Sequence, residues 1–430
     1  MIENQSNWAG NYSYSADRLH YPETVEQVQE VVGRADKLKV LGSRHSFNSI
    51  ADSPRGDLIS LDRLPRLLLL DRDRRSVTVD GGARYGELSR QLHLEGYALR
   101  NLASLPHISV AGACATATHG SGNRNGNLAT SVSAIELVTS QGTVVVLSRD
   151  QEQHDKQSGK QGEQLAGAVV GLGGPGVVTK LTLDIVPAFT MRQDVYEDLP
   201  LDQLEKHFDE IVSSAYSVSL ITDWQRENVS QVWMKRPVTE GAAFELEPDL
   251  FGAKLATTRL HPIPGISAEA CTEQMGVPGP WYDRLPHFRI DFTPSSGEEL
   301  QSEYLLPRHH AISALRAIYG LRDRLAPLLQ ISEVRTVAAD NLWMSPCYGQ
   351  ACVAIHFTWK KEWRAVRQLL PLIEEQLAPY DARPHWGKLF TMPPARVQSL
   401  YTRLPDFRQL LCSYDPEGKF RNPFLDSYVF

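Results

Sequence analysis

The amino-acid sequence predicts an α+β protein with two domains, on three observations. The chain has 430 residues, and a domain holds about 150 residues on average. Residues 1–187 mix segments that have strand patterns with segments that have helix patterns. After Val186-Pro187 the composition changes, since seven of the eight tryptophans lie at or beyond Trp224. We therefore expect a domain boundary near residue 187, a second domain over residues 188–395 and a separate C-terminal segment over residues 396–430.

The first domain is predicted to contain helices and several short strands. Val25, Val28 and Val32 recur at a spacing that places them on one face of a helix. Ser140-Gln141-Gly142 separates two apolar runs, as the turn of a β-hairpin does. The predicted helices are Tyr21–Ala35 and Tyr85–Glu95, and the predicted strands are Lys37–Leu41, Leu58–Leu61, Val77–Val79, Ala134–Val138, Thr143–Leu147 and Val177–Ile185.

The second domain also alternates between the two kinds of pattern. Alternation of polar and apolar residues predicts strands over Ile331–Val337 and Val353–Trp359. Apolar residues at helical spacing predict helices over Ala311–Tyr319 and Trp363–Gln376. A sheet-based domain with covering helices is therefore expected after residue 187.

Composition and charge exclude several classes of protein. The 44 Lys and Arg residues against 51 Asp and Glu residues give a net charge of −7, which is neither a nucleic-acid-binding polycation nor an acidic tail. A hydrophobic fraction of 42% is typical of a folded globular protein, and no apolar run approaches the ~20 residues of a membrane span. The five cysteines are an odd number, and Met1 to Gln5 lack a signal-peptide pattern. We expect a cytoplasmic monomer without a nucleic-acid or membrane partner.

The segment Gly171-Leu-Gly-Gly-Pro-Gly176 matches the G-x-G-x-x-G pattern of dinucleotide-binding loops. That fingerprint requires a strand before the glycines and a helix after them, because the helix N-terminus binds the pyrophosphate. Here the strand pattern of residues 177–183 follows the glycines, and Pro175 lies inside the loop. We therefore interpret this segment as a tight glycine turn that enters a strand.

A second glycine loop, Gly42-Ser-Arg-His-Ser46, directly follows a predicted strand. Glycine followed by short polar residues exposes several backbone N–H groups, which suits the oxygens of a phosphate or a flavin. His45 taken alone is more often an ordinary loop histidine than a functional one. The loop by itself leaves both interpretations open.

The stretch from Gly112 to Gly122 consists almost entirely of small residues, with no side chain larger than threonine except His119. Small residues let the backbone approach a bulky ligand and turn N–H and hydroxyl donors toward it. The alternative is a flexible linker. Ile108 and Val110 before the stretch, and the strand pattern after it, favour an ordered loop.

Two predicted strands of the second domain carry a polar pair on one face. Glu333 and Arg335 alternate with apolar residues, and so do His356 and Thr358, so each pair shares one face of its strand. Such pairs line a wet pocket or form cross-strand salt bridges on a solvent face, and the spacing alone does not decide between these. Lys388 follows an aromatic residue closely but by itself predicts only a surface lysine.

No metal site is expected from the sequence. Cys347 and Cys352 lack the second paired motif that structural zinc sites use. The pair His309-His310 lacks carboxylates at a ligand spacing. Both pairs are therefore interpreted as ordinary structural residues.

Taken together, the three glycine-rich segments resemble the vanillyl-alcohol-oxidase (PCMH-type) family of FAD flavoproteins. The resemblance covers roughly residues 10–187 and rests on the strand followed by G-S-R-H-S, on S-V-A-G…T-x-T-H-G, and on the turn Gly173–Gly176. It continues along the chain into the branch of alditol (xylitol and sorbitol) oxidases and the related aldonolactone oxidases. It implies a PCMH-type FAD-binding domain of two α+β subdomains over residues 1–187, a sheet-based substrate or cap domain over residues 188–395, and a C-terminal segment that packs back on the FAD-binding domain.

The resemblance implies an FAD cofactor that is attached covalently to His45 through the flavin 8α carbon. In this family the flavin supplies the redox chemistry, and the protein orients it and tunes its charge. The further cofactor-binding positions that the resemblance implies are Gly42, Ser43, Arg44, Ser46, Ser104, Ser109, Gly112, Thr116, Ala117, Thr118, His119 and Val178.

The resemblance also implies the residues that bind and oxidise a polyol. The implied substrate-binding residues are Ser104, Glu333, Arg335, Thr358 and Lys388. The residues that we predict to be catalytic are His356, Lys388 and Arg335. Oxidation of a terminal hydroxyl needs a base within hydrogen-bond reach, and His356, with an ordinary pKa of ~6.5, is our candidate. Lys388 would add positive charge near the flavin.

These residues predict an alditol oxidase that converts the terminal primary hydroxyl of xylitol or sorbitol to the aldose and reduces O2 to H2O2. Two alternatives differ from it in substrate or in class. One is an aldonolactone oxidase or dehydrogenase, of the gulono- or arabinono-1,4-lactone type, on the same fold. The other is a flavin-binding module without catalytic activity.

Overall fold

The structure is a computed structural model that describes residues 6–149, 163–239, 247–292 and 298–430. Strands and helices mix along the whole of this part of the chain. The elements of the first half are β1 (Arg18–His20), α1 (Val25–Arg34), β2 (Leu38–Val40), β3 (Asp57–Ile59), β4 (Leu68–Asp71), β5 (Ser76–Asp80), α2 (Tyr85–Leu94), β6 (Tyr97–Ala98), α3 (Val110–Ala115), β7 (Val132–Val138), β8 (Val144–Ser148), α4 (Gln164–Ala168), β9 (Val177–Asp184) and β10 (Val186–Pro187).

The second half contains most of the residues of one large sheet. Its elements are β11 (Thr190–Pro200), α5 (Leu201–Ser213), β12 (Ser217–Thr222), β13 (Asn228–Val238), β14 (Asp249–Leu250), β15 (Ala253–Leu255), β16 (Gly279–Pro280), β17 (Glu299–Pro307), α6 (Ala311–Tyr319), α7 (Arg322–Leu325), β18 (Leu329–Val337), β19 (Cys352–Lys360), α8 (Trp363–Leu377), β20 (Arg383–Pro384), α9 (Pro394–Ser399), α10 (Leu404–Tyr414) and α11 (Pro423–Tyr428).

The first half contains two sheets of three and five strands, and β6 pairs with β10 in a further two-stranded sheet. A parallel sheet has the order β1-β3-β2, and an antiparallel sheet has the order β4-β5-β9-β7-β8. Helix α1 begins at Thr24, whose side chain accepts from the backbone N–H of Gln27, and it buries Val28 and Val32 against the parallel sheet. The two α+β units expected of the first domain are therefore present.

The large sheet follows the order β14-β15-β11-β13-β12-β18-β19-β17-β20, with β16 paired to β11. Strands β17, β18 and β19 run antiparallel at its centre and are almost wholly buried. On one face Leu220 and Val334 meet Leu204 of α5 and Leu315 of α6. The other face carries the polar residues of the candidate site, so the helices leave it free for a ligand.

The end of the chain contacts the first sheet. The backbone N–H of Leu38 donates to Lys419 O at 3.0 Å, and the Asn422 amide donates to Ile50 O at 3.1 Å and Asp52 O at 2.8 Å. A buried amide that satisfies several carbonyls fixes the path of a loop. These bonds join residues 418–422 to the sheet that precedes the glycine loop at Gly42.

The predicted mixed α+β class, with a sheet-rich second domain, is confirmed, and most elements lie within a few residues of their predicted bounds. Gly173 (φ +66°) and Gly176 (φ +154°) form a tight turn that leads into β9, so the interpretation of that turn is confirmed. The stretch that starts at Gly112, expected to be a loop, begins inside the short helix α3 instead. Its alanines favour a helix once Ser109 begins it. No helix in the described ranges is both long and apolar enough to cross a bilayer.

Candidate active site

One cavity connects the loops of the first half with the polar face of the large sheet. Its first wall is formed by the loop at residues 42–46, the start of α3 and the turn at Gly173. Its second wall is formed by side chains of β17, β18 and β19 together with Lys388. The small-residue segments and the polar strands of the sequence therefore face the same space.

The glycine loop is tied to the start of α3 by a reciprocal pair of hydrogen bonds. Ser109 N donates to Ser43 Oγ at 3.0 Å, and Ser43 N donates to Ser109 Oγ at 3.4 Å. A Cβ at Gly42 would lie 2.7 Å from Ser109 Oγ, so only glycine allows this approach. Arg44 has φ of +61°, a left-handed conformation that is costly for a residue with a Cβ. The loop is thus held in one defined shape.

His45 lines the cavity and has one buried ring nitrogen without a hydrogen-bond partner among the described residues. Its ring stacks on Trp8 with centroids 5.2 Å apart, and its buried Nδ1 makes no hydrogen bond within the described part of the chain. Burial lowers the pKa of His45 to about 4, although the Ser43 carbonyl opposes this shift. The imidazole is therefore neutral, and an orphaned buried nitrogen of this kind calls for a ligand.

Lys39 is a buried cation at the far end of the same wall, and sequence reasoning missed it. Its ammonium donates to Leu172 O at 3.2 Å and to Gly173 O at 2.9 Å. Burial lowers the pKa of Lys39 to about 7, and Asp415 opposes this shift. The sequence of strand β2 does not indicate that Lys39 is buried, because a lysine in a strand usually faces solvent.

Register places three ionisable residues side by side on the polar face. Glu303 of β17 and Glu333 of β18 both lie opposite His356 of β19. Glu333 and Arg335 are 7% and 6% exposed. Salt bridging on a solvent face is therefore excluded, and the pocket interpretation of these pairs is the correct one.

Glu303 is the acceptor that the two cations of the site share. Lys388 Nζ donates to its Oε2 at 2.6 Å, and Arg335 Nη2 donates to its Oε1 at 2.6 Å. His119 Nε2 lies 3.3 Å from the same Oε1. Burial alone would raise the pKa of Glu303, but Lys388 and Arg335 hold it well below its usual range. Glu303 is thus a carboxylate that holds both cations in place.

Lys388 also contacts the candidate base. Its Nζ lies 2.8 Å from His356 Nδ1, and His356 Nε2 lies 3.1 Å from Thr358 Oγ1. Burial and the neighbouring Lys388 lower the pKa of His356 to about 4. Burial lowers the pKa of Lys388 as well, while Glu303 opposes that shift. The two side chains therefore behave as one proton-sharing pair with a neutral imidazole.

The backbone of Lys388 is fixed by the first domain. Asn48 Nδ2 donates to Lys388 O at 2.8 Å and to Trp386 O at 2.9 Å, and Phe47 N donates to Gly387 O at 2.8 Å. The loop that carries His45 and the loop that carries Lys388 are therefore bonded directly to each other.

Glu333 and Arg335 are oriented by residues from the opposite side. His287 Nε2 lies 2.7 Å from Glu333 Oε1, and Arg335 Nη1 donates to Ser104 Oγ at 3.4 Å. Burial alone would raise the pKa of Glu333, but Arg335 and His287 hold it well below its usual range. Both carboxylates of the site are therefore anions facing the cavity.

The structure brings together all the second-domain residues that the sequence singled out. Glu333, Arg335, His356, Thr358 and Lys388 line one cavity with Ser104. The missed residues are Glu303, His287 and Lys39. The alternation Glu299-Leu-Gln-Ser-Glu303 is a polar face of the same kind and gave a usable signal for Glu303, whereas His287 lies in a loop without any pattern.

The residues of the first wall fit FAD. The cavity offers the unpartnered Nδ1 of His45, the donors of the loop at residues 42–46, and a close backbone approach at Gly112, where a Cβ would lie 2.6 Å from Ser109 Oγ. Ala117, like Arg44, has a left-handed backbone conformation, with φ of +53°. Among the described residues no cluster of three His, Cys, Asp or Glu side chains is arranged to hold a metal ion.

Comparison with protein-family models agrees with this division of the cavity. Residues 16–148 match a model described as FAD binding domain, and residues 297–428 match a model described as D-arabinono-1,4-lactone oxidase. The fold is that of cholesterol oxidase from B. sterolicum, with a TM-score of 0.77, 13% sequence identity, and coverage of 99% of this chain and 96% of that one. The matched FAD-binding model and the residues of the first wall together define an FAD-binding protein.

Two full-length relatives narrow the class. The chain is 50% identical to alditol oxidase of Streptomyces sp. (strain IKD472 / FERM P-14339) over 98% of this chain and 97% of that protein. It is 28% identical to L-gulono-1,4-lactone dehydrogenase of Mycobacterium tuberculosis over 97% of each chain. The chain belongs to the alditol oxidase family, and the lactone enzymes are more distant relatives.

Proposed function

We propose that the protein oxidises the terminal primary hydroxyl of free sugar alcohols such as xylitol and sorbitol to the aldose, with O2 reduced to H2O2. One observation carries this proposal: buried, charged hydrogen-bonding groups on β18 and β19 face the same cavity as His45. A polyol is a row of hydroxyls, and it needs several donors and acceptors in a fixed order. The name of the Streptomyces relative supports this substrate class.

The proposed cofactor contacts line the cavity, except Ala117, which lies between the lining residues Thr116 and Thr118. The covalent link to FAD is assigned to His45, because its neutral, unpartnered Nδ1 is the nitrogen available for it. The residues of the first wall would hold FAD, which would supply the redox chemistry as acceptor of the substrate hydride and donor of two electrons to O2. The residues proposed to hold it are Gly42, Ser43, Arg44, Ser46, Ser104, Ser109, Gly112, Thr116, Ala117, Thr118, His119 and Val178.

The proposed substrate contacts are Ser104, Glu333, Arg335, Thr358 and Lys388. Glu333 accepts from substrate hydroxyls, and Arg335 donates through its rigid fork. Ser104 and Thr358 each donate and accept. Since Lys388 and Arg335 are both fixed by Glu303, their donors are oriented before the substrate arrives, which reduces the entropy lost on binding.

The Lys388–His356 pair is proposed to take the proton of the reacting hydroxyl. While Lys388 is an ammonium, it donates to Nδ1 of the neutral imidazole, whose own proton is then on Nε2. In this form neither ring nitrogen can accept the proton of the substrate hydroxyl. Loss of one proton from the pair frees a nitrogen lone pair for the hydroxyl. Because burial lowers the pKa of Lys388, this form is populated below the ordinary lysine range, and the rate of flavin reduction rises with pH.

The test is H2O2 release from the purified holoenzyme over a panel of alditols that begins with xylitol and sorbitol. Turnover on alditols that exceeds turnover on γ-lactones is the expected result. The second candidate is an aldonolactone oxidase or dehydrogenase, which the lactone-oxidase model over residues 297–428 favours. Faster turnover on L-gulono-1,4-lactone than on any alditol would establish that candidate in place of ours.

A cytoplasmic location and a monomeric state complete the proposal. All five cysteines are free thiols in the structure, four of them buried, which fits a reducing compartment. Size-exclusion chromatography with light scattering tests the monomer. A mass of about twice that of one chain would contradict it.

A further inference from the structure

Lys235 of β13 is a fully buried lysine close to the substrate side of the cavity. Ser219 of β12 lies opposite both Trp233 and Arg335, so Lys235, two residues after Trp233, is on the sheet face that carries Arg335. Its Nζ donates to Leu285 O at 2.6 Å and to Pro286 O at 2.9 Å, and it lies 3.2 Å from His287 Nδ1. Three acceptors match the three hydrogens of an ammonium.

Lys235 thereby decides which nitrogen of His287 carries the proton. A nitrogen that accepts from an ammonium cannot carry a hydrogen itself, so the proton of the neutral ring is on Nε2. Nε2 lies 2.7 Å from Glu333 Oε1 and donates to it. Trp233 packs edge-on against the ring, with centroids 4.9 Å apart, which fixes the ring plane. Lys235, His287 and Glu333 are therefore one oriented chain of hydrogen bonds.

The end of this chain is an unfilled acceptor beside an unfilled donor. Glu333 Oε1 is taken by His287, whereas Oε2 makes no hydrogen bond within the described residues and lies 3.6 Å from Arg335 Nε. Arg335 Nε is buried and has no hydrogen-bond partner there either. A substrate hydroxyl that donates to Oε2 would lie beside the guanidinium of Arg335, whose positive charge favours the hydroxyl oxygen.

His287 also fixes a second polyol contact. Its backbone N–H donates to Ser104 O at 3.2 Å, and Phe288 N donates to the same oxygen at 3.3 Å. Ser104 Oγ in turn accepts from Arg335 Nη1. The segment His287-Phe288 therefore links the backbone of Ser104 to the Glu333 carboxylate.

We propose that Lys235 and His287 are positioning residues that aim Glu333 Oε2, beside the Arg335 guanidinium, at one particular hydroxyl of the substrate. This inference rests on the proposed polyol oxidation and extends it to the specificity of the site. The enzyme then requires that hydroxyl, and the requirement depends on Lys235 and His287, although neither of them is needed for the chemistry at the reacting carbon.

The chain of hydrogen bonds also responds to pH. Burial lowers the pKa of Lys235 to about 7; Glu333 and Cys271 oppose this shift, and Arg284 adds to it. A neutral amine has two hydrogens for three acceptors, so His287 Nδ1 loses its donor and the ring is free to change tautomer. The requirement for the hydroxyl therefore weakens as the pH rises through the pKa of Lys235.

The experiment compares kcat/KM of the holoenzyme for xylitol with that for deoxypentitols that each lack one hydroxyl. For the wild type, we expect one deoxypentitol to be about 10- to 160-fold worse, the range for a lost hydrogen bond to a charged group. In His287→Leu, kcat/KM for xylitol should fall by a similar factor, and kcat/KM for that deoxypentitol should then equal the value for xylitol. His287→Gln, which keeps a donor for Glu333, should retain most of the penalty.

Two further measurements separate positioning from a general structural role. The ratio of kcat/KM for xylitol to that for the sensitive deoxypentitol should fall from pH 6 to pH 8 in the wild type, and Lys235→Met should abolish this dependence. Titration of Lys388 affects kcat/KM for both substrates equally, so it does not change the ratio. The wild-type profile is measured without any substitution, so it does not depend on whether a variant folds.

The outcomes are distinct. If the wild type oxidises xylitol but every deoxypentitol loses the same factor in all variants, the positioning role is wrong. A pH-independent ratio in the wild type would also overturn it. If the wild type oxidises no alditol, the proposed function fails first, and faster turnover of a lactone identifies that failure.

Discussion

Replacement of Glu303 by Gln tests the electrostatic core of the site. The carboxylate accepts from Lys388 and Arg335, both at 2.6 Å, and it is fully buried. Gln has nearly the same shape but no charge. The substitution therefore leaves two buried cations with Glu333 as their remaining carboxylate nearby.

The size of the effect follows from the burial. Unit charges 4 Å apart interact by about 4 kcal/mol at an effective dielectric constant of 20, and removal of one partner of a buried ion pair typically destabilises a protein by about 3–5 kcal/mol. We expect the free energy of unfolding to fall by that amount. Because Glu303 supports the charged form of Lys388, its loss lowers the pKa of that lysine further.

Two measurements follow. Stopped-flow reduction of the flavin by xylitol, recorded against pH, should show its inflection displaced to lower pH in Glu303→Gln, with kcat/KM reduced about 10- to 160-fold at neutral pH. Glu374→Gln is the matched control, because Glu374 is also buried but accepts from Tyr304 and Thr391 instead. An unmoved or upward-displaced inflection in Glu303→Gln would refute the shared role of this carboxylate.

Three further predictions use simpler variants. His45→Ala should yield a colourless acid precipitate because the covalent link is lost, whereas His107→Gln should stay yellow; a yellow His45→Ala precipitate would place the link elsewhere. Lys388→Ala should slow flavin reduction by xylitol far more than reoxidation by O2, and the opposite order in stopped-flow traces would contradict its substrate role. Gly176→Ala should lower unfolding stability by about 2 kcal/mol or more, since a Cβ there lies 2.4 Å from Val138 O. Gly349→Ala is the control: Gly349 has φ of +69° and open space around it, so its replacement should lower the free energy of unfolding by only about 1 kcal/mol. Equal losses of unfolding free energy for the two variants in denaturant titrations would contradict the clash at Gly176.

Local patterns were enough to predict most of the fold. Helix α6 begins and ends at its predicted residues, Ala311–Tyr319, because its apolar spacing and the following Gly320 both act within a few residues. The glycine turn before β9 was also interpreted correctly, since the residues after it alternate as a strand does. The small-residue stretch after Ser109 was the exception, because a composition of Ala and Gly carries no apolar periodicity that reveals a helix.

The site residues could be predicted only where polar and apolar residues alternate within a single strand. Glu333 with Arg335 and His356 with Thr358 alternate within single strands, so each pair was visible. Glu303 has the same two-residue spacing from Gln301, but its role was visible only from the strand register, since β19 brings His356 between Glu303 and Glu333. No pattern within β17 indicates which strand lies beside it.

His287 and Lys235 show a stronger form of the same limit. The link from Lys235 through His287 to Glu333 depends on strand β12 lying between β13 and β18, and on the loop that carries His287. Strand order is a property of long-range pairing and not of local spacing. A buried lysine in an apolar strand is also contrary to the usual burial preference. Departures of this kind concentrate at functional sites, which makes them more informative than residues that obey the preference.

The charges of the site favour recognition by hydroxyl geometry over recognition by charge. Glu303 and Glu333 are anions, Arg335 and Lys388 are cations, and burial lowers the pKa values of the neighbouring histidines, His356 and His287. The charges of these four residues cancel, and Glu299 also lines the cavity, so an anionic substrate would meet no excess of positive charge there and would need compensation in a buried space. An uncharged polyol needs no such compensation, because each hydroxyl donates to a carboxylate and accepts from a cation. Selection among alditols must therefore arise from the spacing of these groups, which Glu303 sets from one side and His287 from the other.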